Sequence, residues 1–237
     1  MPVNDFDTRF GDPAVAAGMA RRFPQFHGAA RDFWNTALAD GALTQRMREL
    51  VLLAIFASPA GYDQPMVDAQ LERAEAAGAS PEDIVDVLIS VAGIANHALY
   101  MAVPLAEEHF PPDEITAGID ARALASAAAT KEEFIRTRGF WNKERDVLAR
   151  AMPDYFLASG EFSMTATKSG SLSIKEREMI FLSIDASVNH MSEPGLDIHY
   201  RNARKAGLTF REVAAVLKIV GVVGLLSYIN SAPRLTR

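Results

Sequence analysis

Apolar residues recur along this chain at intervals of three and four, not two. After Thr44 the positions Leu50, Leu53 and Ala57 mark one helical face, and after Ser173 the positions Met179, Leu182 and Ala186 mark another. No segment alternates as a half-buried strand would, so the pattern predicts an all-α fold. Further helical segments are expected at about Ala14 to Ala39 and Ile119 to Ala158. Two stretches, Ile84 to Ala98 and Val213 to Ile229, are apolar nearly all round. The second raises the question of a membrane span, but it is short and carries Lys218, Gly221 and Gly224, so it reads as a buried core or interface helix.

The two apolar stretches are copies of each other. A gapless shift of 129 positions lays Leu43-Thr44-Gln45-Arg46-Met47-Arg48-Glu49-Leu50 on Leu172-Ser173-Ile174-Lys175-Glu176-Arg177-Glu178-Met179. Pro65, Asp68, Ala74, Ala77 and Gly78 fall on Pro194, Asp197, Ala203, Ala206 and Gly207. Between Phe23–His97 and Met152–Leu226, 21 of 75 positions are identical, against roughly five for unrelated segments of ordinary composition. The chain is an internal duplication.

Matching punctuation supports this. Thr44 and Ser173 are predicted N-caps, Ser173 with Glu176 at capping-box spacing. Pro65 and Pro194 open the next helix behind the caps Asp63 and Ser192. Gly78 and Gly207 end it, and Ser80-Pro81-Glu82-Asp83 and Thr209-Phe210-Arg211-Glu212 start a third. Pro111 and Pro112 are the candidate boundary, giving repeats 1–110 and 111–237 packed as one compact unit.

Composition narrows the function. With 237 residues, 49% of them hydrophobic, the chain can bury a sizeable core. A net charge of −6 and the absence of a basic, aromatic-interleaved stripe argue against nucleic acid as a partner. The opening MPVNDFDTRFGDP lacks a signal pattern, so a cytoplasmic location is expected, with no membrane partner. There is no cysteine, hence no disulfide and no thiolate chemistry.

The run Leu172-Ser173-x-Lys175-x-Arg177-Glu178-Met179-Ile180-x-Leu182, followed by His199-x-x-x-Ala203-x-x-x-Gly207-Leu208-Thr209, Glu212-Val213 and Val216-Leu217, resembles the carboxymuconolactone decarboxylase family. That family shares its fold with alkyl hydroperoxidase D. The resemblance implies helical subunits assembled into rings, commonly of six single-repeat subunits. A two-repeat chain would form an equivalent ring as a homo-oligomer, a trimer by preference. The peroxidase branch requires a Cys-x-x-Cys before the motif histidine, where this chain has Ser192-Glu193-Pro194-Gly195 and, in the first copy, Asp63-Gln64-Pro65-Met66. Peroxidase activity is therefore excluded. The interval from Glu178 to His199 is also slightly longer than the family's, so the loop holding Asn189 and His190 is expected to be extended.

The catalytic candidates are His199 and Glu178, an imidazole to donate or move a proton and a carboxylate to orient it. A core histidine and a structural arginine–glutamate network are the plainer readings of the same residues. Gln70 replaces the histidine in the first copy and can hydrogen-bond but not titrate. Asp185 lies seven residues after Glu178, on the same helix face, and Phe56 replaces it in the first copy. Two carboxylates facing a closed pocket would push one pKa up; otherwise Asp185 is solvated. Asn96 and His97 form a polar pair in an apolar helix, Val91 to Val103, with Leu225 and Leu226 at the equivalent positions. His97 is either a pocket wall or a buried, satisfied histidine. His190 and His109 fall near loops and are expected to be exposed.

Arg48 or Arg177 would anchor a substrate carboxylate. Trp34, with Phe26, Phe33 and Tyr62, would line an aromatic-tolerant pocket or simply fill core. No His-x-x-x-His or Glu-x-x-His spacing, glycine-rich phosphate loop or nucleophile elbow occurs, so no metal and no cofactor are expected. These residues point to a cofactor-independent decarboxylase acting on a small carboxylated cyclic or lactone-like metabolite. A non-catalytic ligand-binding or scaffold protein, and a cofactor-free lactone hydrolase or isomerase, remain open alternatives.

Overall fold

Among the described residues fifteen α-helices and one short 3-10 turn account for the architecture, and there is no strand. The computed structural model describes residues 5–39, 41–58, 62–188 and 190–237, and of Ala166 its backbone. A four-residue helix, α1 (Asp5–Thr8), precedes the first repeat: α2 (Pro13–Arg22), α3 (Pro24–Leu38), α4 (Gln45–Phe56), α5 (Gln64–Ala76), α6 (Pro81–Ile94) and α7 (His97–Glu107). After α8 (Pro112–Ile115) and the long α9 (Ala121–Arg138), the same six return. They are α10 (Lys143–Ala151), α11 (Pro153–Ser169), α12 (Ile174–Asp185), α13 (Glu193–Lys205), α14 (Phe210–Val222) and α15 (Leu226–Leu235). The register that lays Leu43 on Leu172 carries α4 onto α12 and α5 onto α13 residue for residue.

The caps are built as the side-chain chemistry dictates. The Thr44 hydroxyl accepts from the Met47 amide, and Ser173 and Glu176 close a full capping box, as do Ser80 with Asp83 and Thr209 with Glu212. Asp63 and Ser192 cap the helices that Pro65 and Pro194 open. Gly78 and Gly207 stop them at φ +90° and +81°, a region costly for any side chain.

The copies interlock. α4, α6, α12 and α14 share one apolar core, with Leu50, Leu53, Ile180, Leu182, Val216 and Ile219 almost fully buried. The opening helices of each repeat cross to the other: α3 packs on α14 and α2 on α15, while α11 packs on α6 and α10 on α7. Buried and half-buried ions tie the same seam. Arg177 reaches across to Asp86 at 2.6 Å, and Arg46 bridges Asp83 of its own repeat and Glu176 of the other at 2.6 Å.

The apolar stretches differ from the expectation in one respect. The helix expected over Val91 to Val103 is broken at Ala95 and Asn96, and the second copy is broken by the 3-10 turn Val223–Leu225. By length and composition Pro81–Glu107 and Phe210–Leu235 could cross a bilayer, yet each is interrupted midway. In the first, Asn96 donates to the Gly93 carbonyl and accepts from the Tyr155 hydroxyl at 2.6 Å. The break makes His97 the first residue of a new helix and turns it toward the second repeat. A smaller satellite core, Ala127, Leu148 and Phe156, joins α9, α10 and α11 to α7.

Candidate active site

α12 runs through the centre of the molecule, and every residue from Arg177 to Asp185 is buried. Glu178 and Asp185 sit two turns apart on the face that meets α13. From α13, His199 points back at that face. Its Nδ1 lies 2.7 Å from Glu178 Oε2 with both side chains nearly inaccessible, and its Nε2 lies 3.7 Å from Asp185 Oδ2. The Phe181 ring covers the imidazole, centroids 4.6 Å apart. The Glu178 contact fixes one nitrogen and leaves Nε2 to act.

His97 arrives from the other repeat. Its Nδ1 is 3.0 Å from Asp185 Oδ1, and its ring stacks 6.2 Å from that of His199. His190, in the loop after α12, completes the group with Nε2 at 3.1 Å from the same oxygen. It is only partly exposed, not the loop-surface residue that its position suggested, because Asp185 draws it inward. Asn189, its neighbour in the extended loop, lies outside the described residues. Asp185 is completely buried, so the solvated reading does not apply. Nor is its carboxyl pushed up as expected for paired carboxylates. Burial works in that direction, but hydrogen bonds from His190 and His97 outweigh it and hold the group below the ordinary carboxylate range.

Beside the cluster lies a cavity of about 290 Å³ between the two repeats, which His97 and His199 line. Its aromatic wall is Tyr100, Phe134, Phe140, Phe156 and Phe181, drawn from α7, α9, α11, α12 and the turn after α9. Two arginines enter it. Arg145 lies over the Phe134 and Tyr100 rings at 4.1 and 4.9 Å, and Arg138 lies 5.5 Å from the Phe181 ring. Burial pulls the Arg138 guanidinium down to about 10 and lowers Arg145 as well, so both stay cationic at neutral pH in surroundings poor in water. Neither forms an ion pair among the described residues, but Arg138 donates to the Thr167 hydroxyl and feels the Glu178 charge.

Buried polar atoms normally find partners. Among the described residues the buried side-chain atoms that lack one are Ser90 Oγ, Asn142 Oδ1, Arg145 Nε and Asp185 Oδ2. The first three residues line this cavity and the fourth stands behind His97. One hollow thus gathers the orphaned donors and acceptors of the molecule's described part.

The other sequence candidates are placed elsewhere. Arg177 is held by Asp86, and Arg48 donates to the Leu38 carbonyl. Gln70 donates to Glu49 at 2.8 Å and accepts from Arg9, a purely structural set in the first repeat. Trp34 is buried there and donates its indole N–H to Asp5 at 2.8 Å. Phe26, Phe33 and Tyr62 are exposed. Arg138 and Arg145, outside the motif run, join His199 and Phe181 at the cavity. The repeat register flags one of these arginines, because it lays Arg9 on Arg138; nothing local flags Arg145.

A sequence profile of the carboxymuconolactone decarboxylase family matches residues 24–108 and again 153–236. Among solved structures, the chain is similar to one described as a candidate gamma-carboxymuconolactone decarboxylase subunit from Burkholderia xenovorans LB400, with a TM-score of 0.84 and 31% identity. The match covers 97% of this chain and 92% of that one. None of the curated proteins compared matches the chain.

Proposed function

The chain belongs to the carboxymuconolactone decarboxylase family, and from that premise we propose that the cavity between its two repeats is a carboxy-lyase site for a small carboxylated cyclic or lactone-like metabolite. The observation that carries the reading is the convergence of the buried His199–Glu178 pair and two arginines without an ion-pair partner among the described residues on one hollow that holds three orphaned polar atoms. An anionic, flat substrate suits it. Guanidiniums without carboxylate partners attract a carboxylate and the oxyanion that forms from a conjugated carbonyl, and aromatic walls accept a planar ring.

The chemistry follows from what each group can do. The bond from ring carbon to carboxylate breaks, its electron pair passes into the conjugated carbonyl, and carbon dioxide leaves. Arg138 and Arg145 stabilise the negative charge as it grows on the carbonyl oxygen. His199 delivers a proton from Nε2 to the carbon that lost the carboxylate, while Glu178 holds Nδ1 and compensates the imidazolium that is restored afterwards from water. Exclusion of water strengthens these contacts. The chain's lack of cysteine removes a thiolate peroxidase route. A cytoplasmic homo-oligomer, with a trimer favoured, is the assembly we propose with this activity.

The test is to assay purified protein for carbon dioxide release from carboxylated lactones and related ring-cleavage acids. His199→Ala should lower turnover by about 100-fold to 10,000-fold, the usual range for a general acid. Unchanged turnover in that variant would remove His199 from the reaction. Saturable binding without turnover in the parent protein would instead mark a ligand-binding member of the family.

A further inference from the structure

The group formed by His97, Asp185 and His190 does more than orient imidazoles. We infer that it is a binding site for a single first-row divalent transition-metal ion, held by His97 Nδ1, Asp185 Oδ1 and His190 Nε2.

The spacing of the three atoms is the first reason. They lie 3.0 Å (His97 to Asp185), 3.1 Å (His190 to Asp185) and 3.5 Å (His190 to His97) apart. A four-coordinate ion bonded at about 2.0–2.1 Å holds its ligands about 3.3 Å from one another. The three atoms therefore lie within about 0.3 Å of one face of such a polyhedron, and an ion would replace the hydrogen bonds that His97 and His190 now make to Asp185. Two imidazoles and one carboxylate also form a donor set that suits zinc and its neighbours and leaves a position open.

The second reason is what surrounds them. Asp185 Oδ2 is buried and has no hydrogen-bond partner, which leaves an acceptor for an ion-bound water. His199 Nε2 stands 3.7 Å from that oxygen, on the cavity side of the group. The backbone yields at two places to make the site. Met191, next to His190, adopts φ +41°, which is uncommon for a residue with a side chain and costs about 1 kcal/mol or more. Gly195 has no room for a Cβ, which would collide with the Asp185 carboxylate and approach His97 Cε1 to 2.9 Å.

The third reason is asymmetry. In the first repeat Phe56 stands where Asp185 stands and Met66 where Gly195 stands, while the second repeat has Leu226 where the first has His97. The duplication therefore yields one such group. It joins a ligand of the first repeat to two of the second, which explains why spacing along the sequence gave no sign of a metal. When bound, the ion would polarise a water or a substrate oxygen at its open position beside His199. The inference does not rest on the decarboxylase reading: a chain that binds the ion and turns over no lactone acid would still satisfy it.

The test is a titration of chelator-stripped, full-length protein with Co²⁺, followed by absorption, then displacement with Zn²⁺. We expect one Co²⁺ per chain, an intense low-symmetry visible spectrum, and release by one equivalent of Zn²⁺. His190→Ala, a partly exposed position that the fold tolerates, should weaken binding about tenfold or more, as should Asp185→Asn. His109→Ala, outside the group, should bind as the parent does. Circular dichroism checks that each variant remains helical, and His190→Ala carries the test if Asp185→Asn fails to fold. Sub-stoichiometric uptake by the parent, or parent-like affinity in folded His190→Ala, would overturn the assignment.

Discussion

Arg9 and Arg138 hold the same position in the two repeats, and only Arg9 is bonded to its repeat's glutamate. Arg9 donates to Glu49 at 3.1 Å and to Gln70 at 3.0 Å, and its guanidinium lies 5.4 Å from the Trp34 ring. Arg138 leaves Glu178 to His199 and lies against Phe181 at the cavity. More than one exchange accounts for the difference. Glutamine at position 70 shares a carboxylate with Arg9, which Asp5 also holds, whereas histidine at 199 takes Glu178 itself, Phe134 stands where Asp5 does, and Arg138 donates to the Thr167 hydroxyl instead. The cavity adjoins the second repeat's set, and the first repeat's set is a plug.

The plug should be expensive to break. Arg9, Glu49 and Gln70 are buried together, and removing the cation leaves a buried carboxylate with only the amide of Gln70. Arg9→Ala should destabilise the fold by about 3 kcal/mol, a fall in Tm of about 6 to 12 °C for a chain of this length. Calorimetry checks this. Ligand binding in the cavity, which Arg9 does not line, should not change.

The plug should also be transferable. Trp34 fills the first repeat at the position where the second has Ser163, a residue that lines the cavity. Ser163→Trp should therefore close the hollow. The expected outcome is loss of ligand binding by at least tenfold with helical content retained, read by calorimetric titration and circular dichroism. Retained affinity would place the ligand elsewhere.

The duplication and the helix caps were legible in the sequence because they depend on local spacing and register: a cap acts over three residues, and a copy keeps its shift; Glu178 and His199, on different helices, were named through the family motif. Even the stops at Gly78 and Gly207 follow from a local backbone need. The rest of the site depends on contacts between distant segments. His97 meets Asp185 across 88 positions, and only because Asn96 breaks an apolar run that otherwise reads as continuous helix. Arg145 enters from a helix that carries no motif. Arg177, inside the most recognisable run, is taken by Asp86, whose equivalent in the first pairing is Ala215. A charge beside a motif is thus no guide to whether a partner across the fold has already claimed it.

Acid should loosen the seam between the repeats. Burial alone would raise the Asp83 carboxyl, but Arg46, the Ser80 amide and the Ser171 hydroxyl bring it down to about 2, and Glu176 shares the same arginine and is lowered too. A carboxyl that ionises more readily in the folded chain than in the unfolded one stabilises the fold above about pH 4, and the gain is lost as pH falls toward 2. For Asp83 it amounts to about 2 kcal/mol. Denaturant midpoints measured from pH 6 to pH 2 should fall over that window, and the fall should be smaller in Arg46→Met.

Gly195 couples the site to the packing of α13 on α12. Its position opens α13 directly over Asp185, and a methyl group there meets the carboxylate and His97. Asp185 cannot retreat, because it is completely buried. His97 can, because it lies at the start of α7 and faces the cavity. Gly195→Ala should therefore lift the start of α13 from α12 as well as push the His97 ring off Asp185. The expected signature is a lowered Tm with helical content retained, together with altered imidazole resonances and weakened Co²⁺ binding. A variant with parent-like Co²⁺ affinity would show that His97 is not held where the ion binds.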